Sequence, residues 1–264
     1  MHPFVGVLRR YVVDYLICQN AAVCAEIMEP DYVLHMGGTD LGPRDEVYVP
    51  AVVRQLQQFP GLGMTVHEIV FTEDRLAMRF SQHGASVKHN GRQAAWGGIG
   101  LYRWNGTRLT SNYAIEDYAS RRRQLSDGVS ETVESPAVAP WDSEIGIADV
   151  NAEADIIEWV GGGAGTGDGD CVWFDDLPVA STRPLLDVHT TVVDDVFSAS
   201  GRVAFHVTQQ GTYLGGLESV GAPETSIGQE ATLYSVGVVH RNADGHLHGR
   251  VIRERAALSR ALSI

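Results

Sequence analysis

The chain has 264 residues, 44% of them hydrophobic and 20% charged, a composition of folded globular proteins that leaves room for two cores of ordinary size. Thirty-three acids against 20 bases give a formal net charge of −13, which excludes a nucleic-acid surface. Cys18, Cys24 and Cys171 form no C-x-x-C pair and no even framework, pointing to a reducing compartment and no structural zinc.

The N-terminus, MHPFVGVLRRYVVDYLICQN, is too interrupted by Arg9, Arg10 and Asp14 for a signal peptide or a membrane span, so the expected location is cytoplasmic. Val5, Leu8, Val12 and Leu16 recur at helical spacing and predict helices before residue 29. YVLHM (32–36) reads as a short strand. PRDEVYVPAVVRQLQQF (43–59) reads as a helix with Tyr48, Val52, Leu56 and Phe59 on one stripe and Pro50 near its first turn. Four strands follow: MTVHEIVF, RLAMRFSQHGAS, AAWGGIGLYRW and RLTSNYAIED. SDGVSETVESPAVAP (126–140) has linker composition. A helix near 142–160 comes next, then GGGAGTGDGDC, a single glycine-rich copy that reads as a loop rather than a calcium repeat. Between Asp142 and Asp195 thirteen acids accompany one base, Arg183; a solvated, repulsive surface explains this better than a cation site.

The strands then return. RLAMRFSQHG (75–84) aligns with RVAFHVTQQG (202–211), pairing Arg75 with Arg202, Gln82 with Gln209 and Gly84 with Gly211. LYRWNGTRL aligns with VVHRNADGHL, and NYAIEDYASRRRQL with RVIRERAALSRAL, setting Arg255 against Asp117 and Glu254 against Glu116. A collinear repeat of this length is a duplicated domain: 1–127, a linker at 128–140, and a divergent second copy at 141–264. Helices before a curved antiparallel sheet make each copy an α+β cone.

The last strand of the first copy runs into Glu116 and Asp117. Alternation puts Leu109, Ser111, Tyr113, Ile115 and Asp117 on one, apolar, face and Thr110, Asn112, Ala114 and Glu116 on a face that reads as solvated. Burial on the apolar face would raise the pKa of Asp117 and suit it to general acid–base catalysis. The other reading is a strand-end acid paired with Arg121 or another arginine. His83 reaches a pocket only if Gly84 marks a bulge; His35 either serves a site or caps its strand. Trp96, Tyr102 and Trp104 share a parity and either line an aromatic pocket or pack a core. His240, His246 and His248 lack the carboxylates or the H-x-x-x-H spacing of a metal site. Phosphate loops, nucleophile elbows and dinucleotide fingerprints are absent from the sequence.

In their order, His35 after a short strand, FPGL (59–62), His83-Gly84 ending a strand, NGR (90–92) and WNGTRLTSNYAIEDYASRRRQL resemble the SnoaL-like polyketide cyclases of the nuclear transport factor 2-like superfamily. The family's last motif reads dG-x-I-x-x-x-W-x-x-x-D and ends in Q-L-G; Tyr113 stands here for the tryptophan, Asp117 for the aspartate and Gln124-Leu125 for the ending. The resemblance covers residues 5–125, and 142–262 only through the repeat. It implies two tandem cones forming an internal pseudo-dimer, a pocket inside the first, and Asp117 as catalytic acid with His83 and His35 as further candidates. Tyr113, Trp96, Tyr102 and Trp104 would bind substrate. The implied activity is a cofactor-free, metal-free cyclase or isomerase acting on a hydrophobic polyketide-like molecule, with no nucleic-acid or membrane partner; further homo-oligomerisation stays open. Alternatives within the resemblance are epoxide opening of the limonene epoxide hydrolase type, which some fused pairs of such domains perform, and a non-catalytic binding or scaffolding role. Steroid-isomerase relatives carry an aspartate where this chain has His35-Met36, which separates it from that chemistry.

Overall fold

The computed structural model describes residues 1–176 and 183–263. The first unit opens with α1 (Pro3–Arg10), which continues through wider turns over Tyr11–Ile17 and buries Val5, Leu8, Val12 and Leu16, the predicted stripe. After α2 (Cys24–Ile27) come β1 (Met28–Met36) and β2 (Thr39–Leu41), a helical turn at Arg44–Tyr48, and α3 (Val49–Gln58) with Pro50 in its first turn, where no backbone N–H is needed. Then follow β3 (Gly63–Phe71), β4 (Arg75–Ser86), β5 (Arg92–Trp104), β6 (Leu109–Glu116) and α4 (Tyr118–Asp127). The sheet order is β2-β1-β6-β5-β4-β3, antiparallel except where β1 runs parallel to β6.

The second unit repeats the plan with α5 (Val150–Gly161), β7 (Cys171–Phe174), β8 (Leu186–Ala199), β9 (Arg202–Tyr213), β10 (Glu230–Arg241), β11 (Leu247–Arg253) and α6 (Arg255–Leu262). Its sheet order is β7-β11-β10-β9-β8, again with one parallel pair, β7 beside β11. Helix α5 starts eight residues later than the sequence pattern suggests, because Asp149 caps it by accepting the N–H groups of Asn151 and Ala152. The glycine-rich run forms turns between α5 and β7. No helix among the described residues is long and apolar enough to cross a membrane.

Both faces of the first sheet are covered. Its inner face packs on α1–α3 through Met78, Phe80, Tyr102 and Ala114. Its outer face meets the second sheet in one apolar cluster: Val70, Ala77, Ile99, Leu101 and Ile115 against Phe197, Ala204, Val236, Val238 and Ile252. Ion pairs frame the contact with internal symmetry. Arg75 reaches Asp195 at 2.6 Å, and its repeat partner Arg202 reaches Glu68 at 2.9 Å. The repeated arginine is thus an interface residue in both copies.

The symmetry also corrects the repeat's register at its end. The Asp117 N–H donates to the Gly97 carbonyl and its carboxylate caps α4; the Glu254 N–H donates to the Tyr234 carbonyl and its carboxylate caps α6. Glu254, not Arg255, therefore occupies the place of Asp117, and Arg253 that of Glu116. One residue of slip exchanges the faces of a strand.

Candidate functional site

From Ser111 onward the parity of β6 is as the sequence predicts, but the faces are inverted; Leu109, beyond an irregularity in the β5–β6 register, packs inside the first cone instead of beside Ile115. Ile115 and Tyr113 point to the second unit, whereas Asn112, Ala114 and Glu116 point into the first cone and are buried. The apolar character of the Tyr113 face comes from burial against another sheet, not from a pocket.

Asp117 accordingly lies outside the cone, 1% exposed, between the two units. Its carboxylate accepts the Ser120 N–H (3.0 Å) and hydroxyl (3.0 Å), the Asp176 N–H (2.8 Å) and Arg255 Nη2 (2.5 and 2.7 Å). With every lone-pair direction engaged, it is a helix cap and an inter-unit ion pair. The partner is Arg255, not Arg121. His35 also faces the unit boundary: its Nδ1 is 2.7 Å from Asp40 and its ring stacks on Tyr113, 4.4 Å between centroids. Tyr113 in turn touches the His206 ring at 4.9 Å, so it is not a substrate-facing donor in the cone. His83 stays on the outer face. The β4–β5 register runs unbroken from Arg75 to Ser86, so Gly84 makes no bulge; the irregularity falls in β3 between Val66 and Glu68.

Trp96 and Tyr102 do share the inner face, and they surround the acid that the sequence reading set aside. Glu116 is 7% exposed, and its Oε2 accepts Trp96 Nε1–H at 2.7 Å. Burial pushes its carboxyl above the usual range, against the opposing pull of Trp96, Arg121, Tyr118 and Gln55. Trp104, at the far end of β5, instead stacks on Phe4 at 4.7 Å and donates to the Glu73 carbonyl.

Next to Glu116 the first turns of α4 place Tyr118 and Arg121. The Arg121 guanidinium sits over the rings of Tyr118 (4.0 Å), Trp96 (5.0 Å) and Phe59 (5.6 Å), and its buried Nη1 has no hydrogen-bond partner. Tyr118 donates to Gln55 Oε1 (3.2 Å), and Gln55 Nε2 donates to Gln82 (3.0 Å). Met36, Val52, Gln55 and Tyr118, around this acid, are partly exposed. Deeper in, Tyr11, Tyr15, Tyr32, Tyr48 and Tyr102 fill the cone. The arrangement can move a proton at a carboxyl and offer N–H and O–H donors to a developing oxyanion beside it. No group of three or more His, Cys, Asp or Glu among the described residues is placed to hold a metal ion.

Two sequence signals for this site exist. Trp96 and Glu116 lie on strands joined by a short hairpin, and the glycines of AAWGGIG remove side chains where both sheet faces are approached closely. A side chain on Gly98 would strike Phe80 and Glu116 on the inside, and one on Gly97 would strike Asp176 on the outside.

Helices packed on a curved, mostly antiparallel sheet, twice over, define a tandem of two α+β cones. Residues 7–125, within the first unit, match the family model of the SnoaL-like polyketide cyclases. Solved structures similar to the chain include a SnoaL-like polyketide cyclase from Agrobacterium tumefaciens (18% identity, TM-score 0.41, covering 47% of this chain and 99% of that one). Others are a candidate polyketide cyclase from Acidithiobacillus ferrooxidans (20%, TM-score 0.42, 47% and 94%) and a nuclear transport factor 2-like protein of unknown function from Burkholderia pseudomallei (18%, TM-score 0.41, 48% and 99%). Each spans nearly all of its own length and just under half of this chain. No curated protein matches the chain in sequence.

Proposed function

We propose that the protein is a cofactor-free cyclase or isomerase of the acid–base type, acting on a hydrophobic, polyketide-like carbonyl compound at the mouth of the first cone, with Glu116 in the role the sequence suggests for Asp117. The observation that carries the reading is the Glu116 carboxyl on the inner face, held by one N–H from Trp96, with the unpaired Arg121 Nη1 close by.

Glu116 takes the proton from a carbon next to the substrate carbonyl. Arg121 stabilises the enolate oxygen that forms, and the Tyr118 hydroxyl adds a second donor by turning from Gln55 Oε1. In an intramolecular aldol closure the enolate carbon attacks a second carbonyl, and the new alkoxide recovers the proton from Glu116; in an isomerisation the proton returns at another carbon. The raised carboxyl holds a proton more readily than an ordinary glutamate, which suits a group that must both accept and release one. Epoxide opening by an acid pair is disfavoured, because Glu116 is the one acid on the inner face of β3–β6 among the described residues.

A non-catalytic binding role has one specific observation behind it, the tyrosines that fill the cone beyond Glu116. Solvent-deuterium exchange at the α-carbon of 2-tetralone, followed by mass spectrometry, separates the two. The enzymatic reading predicts exchange that depends on Glu116; a protein that only binds gives the buffer rate.

A further inference from the structure

We propose that the cleft between the two units is a second binding site, for a planar aromatic molecule bearing a carbonyl or phenolic oxygen. The cleft encloses about 460 Å³, within the range of small-molecule sites, and lies on the outer face of β5, opposite Glu116. Its floor is the side-chain-free backbone at Gly97 and Gly98; its far wall comes from β7 and β11 of the second unit.

Trp173 supplies the aromatic surface. Along β7, Val172 and Phe174 are buried in the second core while Trp173 points the other way, 42% exposed, into the cleft. A large ring left open on a strand, facing a cavity rather than a core, is a stacking platform. Arg250 lies over one face of it, its Cζ 5.6 Å from the ring centre. One end of that guanidinium is fixed: Glu134 Oε2 accepts from Arg250 Nη2 (3.0 Å) and from Arg79 Nη1 (2.7 Å), which ties the linker to both sheets. The other nitrogen, Nη1, has only a long 3.5 Å contact to the Asp175 carbonyl and is available to a ligand oxygen.

Asp176 completes the polar side. Its carboxylate accepts the Gly97 N–H, its own N–H donates to Asp117 (2.8 Å), and its carbonyl lies 3.0 Å from the Ser120 hydroxyl, whose one proton it shares with Asp117. Burial and the adjacent Asp117 raise its pKa to about 7, with Asp175 adding to the rise and Arg250 and the Gly97 N–H opposing it; Arg255 lies on the same side. A carboxylic acid protonated up to neutrality donates a hydrogen bond to a carbonyl or phenolate, which a charged one cannot. His67, a third polar lining group, is already bound at both nitrogens, to the Ser135 carbonyl (2.9 Å) and the Ser81 hydroxyl (2.8 Å), and shapes the wall without meeting ligand.

The test is isothermal titration of 1,8-dihydroxyanthraquinone into the full chain and into Trp173→Ala, Arg250→Met and Glu116→Gln, each checked for an unchanged melting transition. Trp173 is exposed enough for its loss to spare the fold. The expected result is saturable binding, weakened roughly tenfold or more in Trp173→Ala and Arg250→Met and unchanged in Glu116→Gln, since the cone and the cleft lie on opposite sheet faces. A Gly97→Ala chain, whose methyl would meet Asp176 Oδ1 at 2.8 Å, should bind less well too. No binding at all, or binding that ignores Trp173 and Arg250, overturns the proposal; loss in Glu116→Gln alone places the ligand in the cone instead.

Discussion

Arg255 Nη2 lies 2.5 Å from Asp117 Oδ2 and 2.7 Å from Oδ1, joining the first residue of α6 to the residue that caps α4. Both side chains are buried, at 6% and 0% exposure, so neither charge can fall back on water. Truncating one partner strands the other. Arg255→Met should destabilise the fold by about 3–5 kcal/mol, whereas the double change Asp117→Asn with Arg255→Met should recover part of that loss. Urea denaturation of the three chains measures both effects.

Asp195 plays the corresponding part at the sheet edge. It is 4% exposed and receives Arg75 (2.6 Å) and Arg103 (2.8 Å) from the first unit. Asp195→Asn should cost about 1–3 kcal/mol, and the loss should come from the contact between units rather than from either core. Calorimetry should therefore show the single melting transition broadening or splitting.

The fold was more legible in the sequence than the site. Residues 75–86 form β4 with the predicted bounds, and the Arg75–Arg202 alignment is in register in the two sheets. Period-two alternation sorted β6 into two sets correctly from Ser111 onward, missed the irregularity that turns Leu109 inward, and could not say which set faced the pocket. That choice needs the partner sheet: Tyr113 and Ile115 are apolar because Val236 and Ile252 cover them, and an outer face buried by a second domain has the same pattern as a core. Glu116 reads as a surface acid beside small residues, yet Ala114 and Asn112 are themselves buried on the inner face. Asp176 and Arg250 lie far from β5 in sequence, so no local pattern could bring them to Gly97. The slip that set Arg255 against Asp117 arose because the two copies diverge where their charges differ most.

Stability should fall as pH rises from about 4.5 to about 7. Burial raises Glu254 to about 7, and Asp176 sits at about 7 as well, while unfolded carboxyls release their protons near 4. At these two groups the folded chain binds more protons than the unfolded chain, and they lower the unfolding free energy as pH rises until both are charged. His67 and His240, whose pKa burial lowers, act the opposite way below about 6.5 and offset part of the fall. Glu134 and Asp194, held below their ordinary range by Arg79 and His206 despite burial, act only at the acid end. Glu254→Gln, which can still accept the Ala257 N–H, should flatten the profile and raise the melting temperature above pH 7. A melting temperature that climbs between pH 5 and about 7 would contradict this.

Trp96→Phe removes the one N–H that Glu116 Oε2 accepts while keeping a ring in place. The carboxylate form loses its donor, so the pKa of Glu116 should rise further and the acid limb of the kcat/KM profile should move up by about one pH unit. Rates of 2-tetralone exchange against pH, for both chains, report this. An unmoved limb would detach Trp96 from the chemistry.

The most direct measurement compares α-proton exchange of 2-tetralone by Glu116→Gln and Asp117→Asn at a temperature where both chains are folded. The account predicts a fall of about 10²–10⁴-fold for Glu116→Gln and a rate within a few-fold of the parent for Asp117→Asn, whose penalty is in stability. Full exchange by Glu116→Gln, or a loss that follows Asp117 instead, would return the reaction to the far side of the sheet.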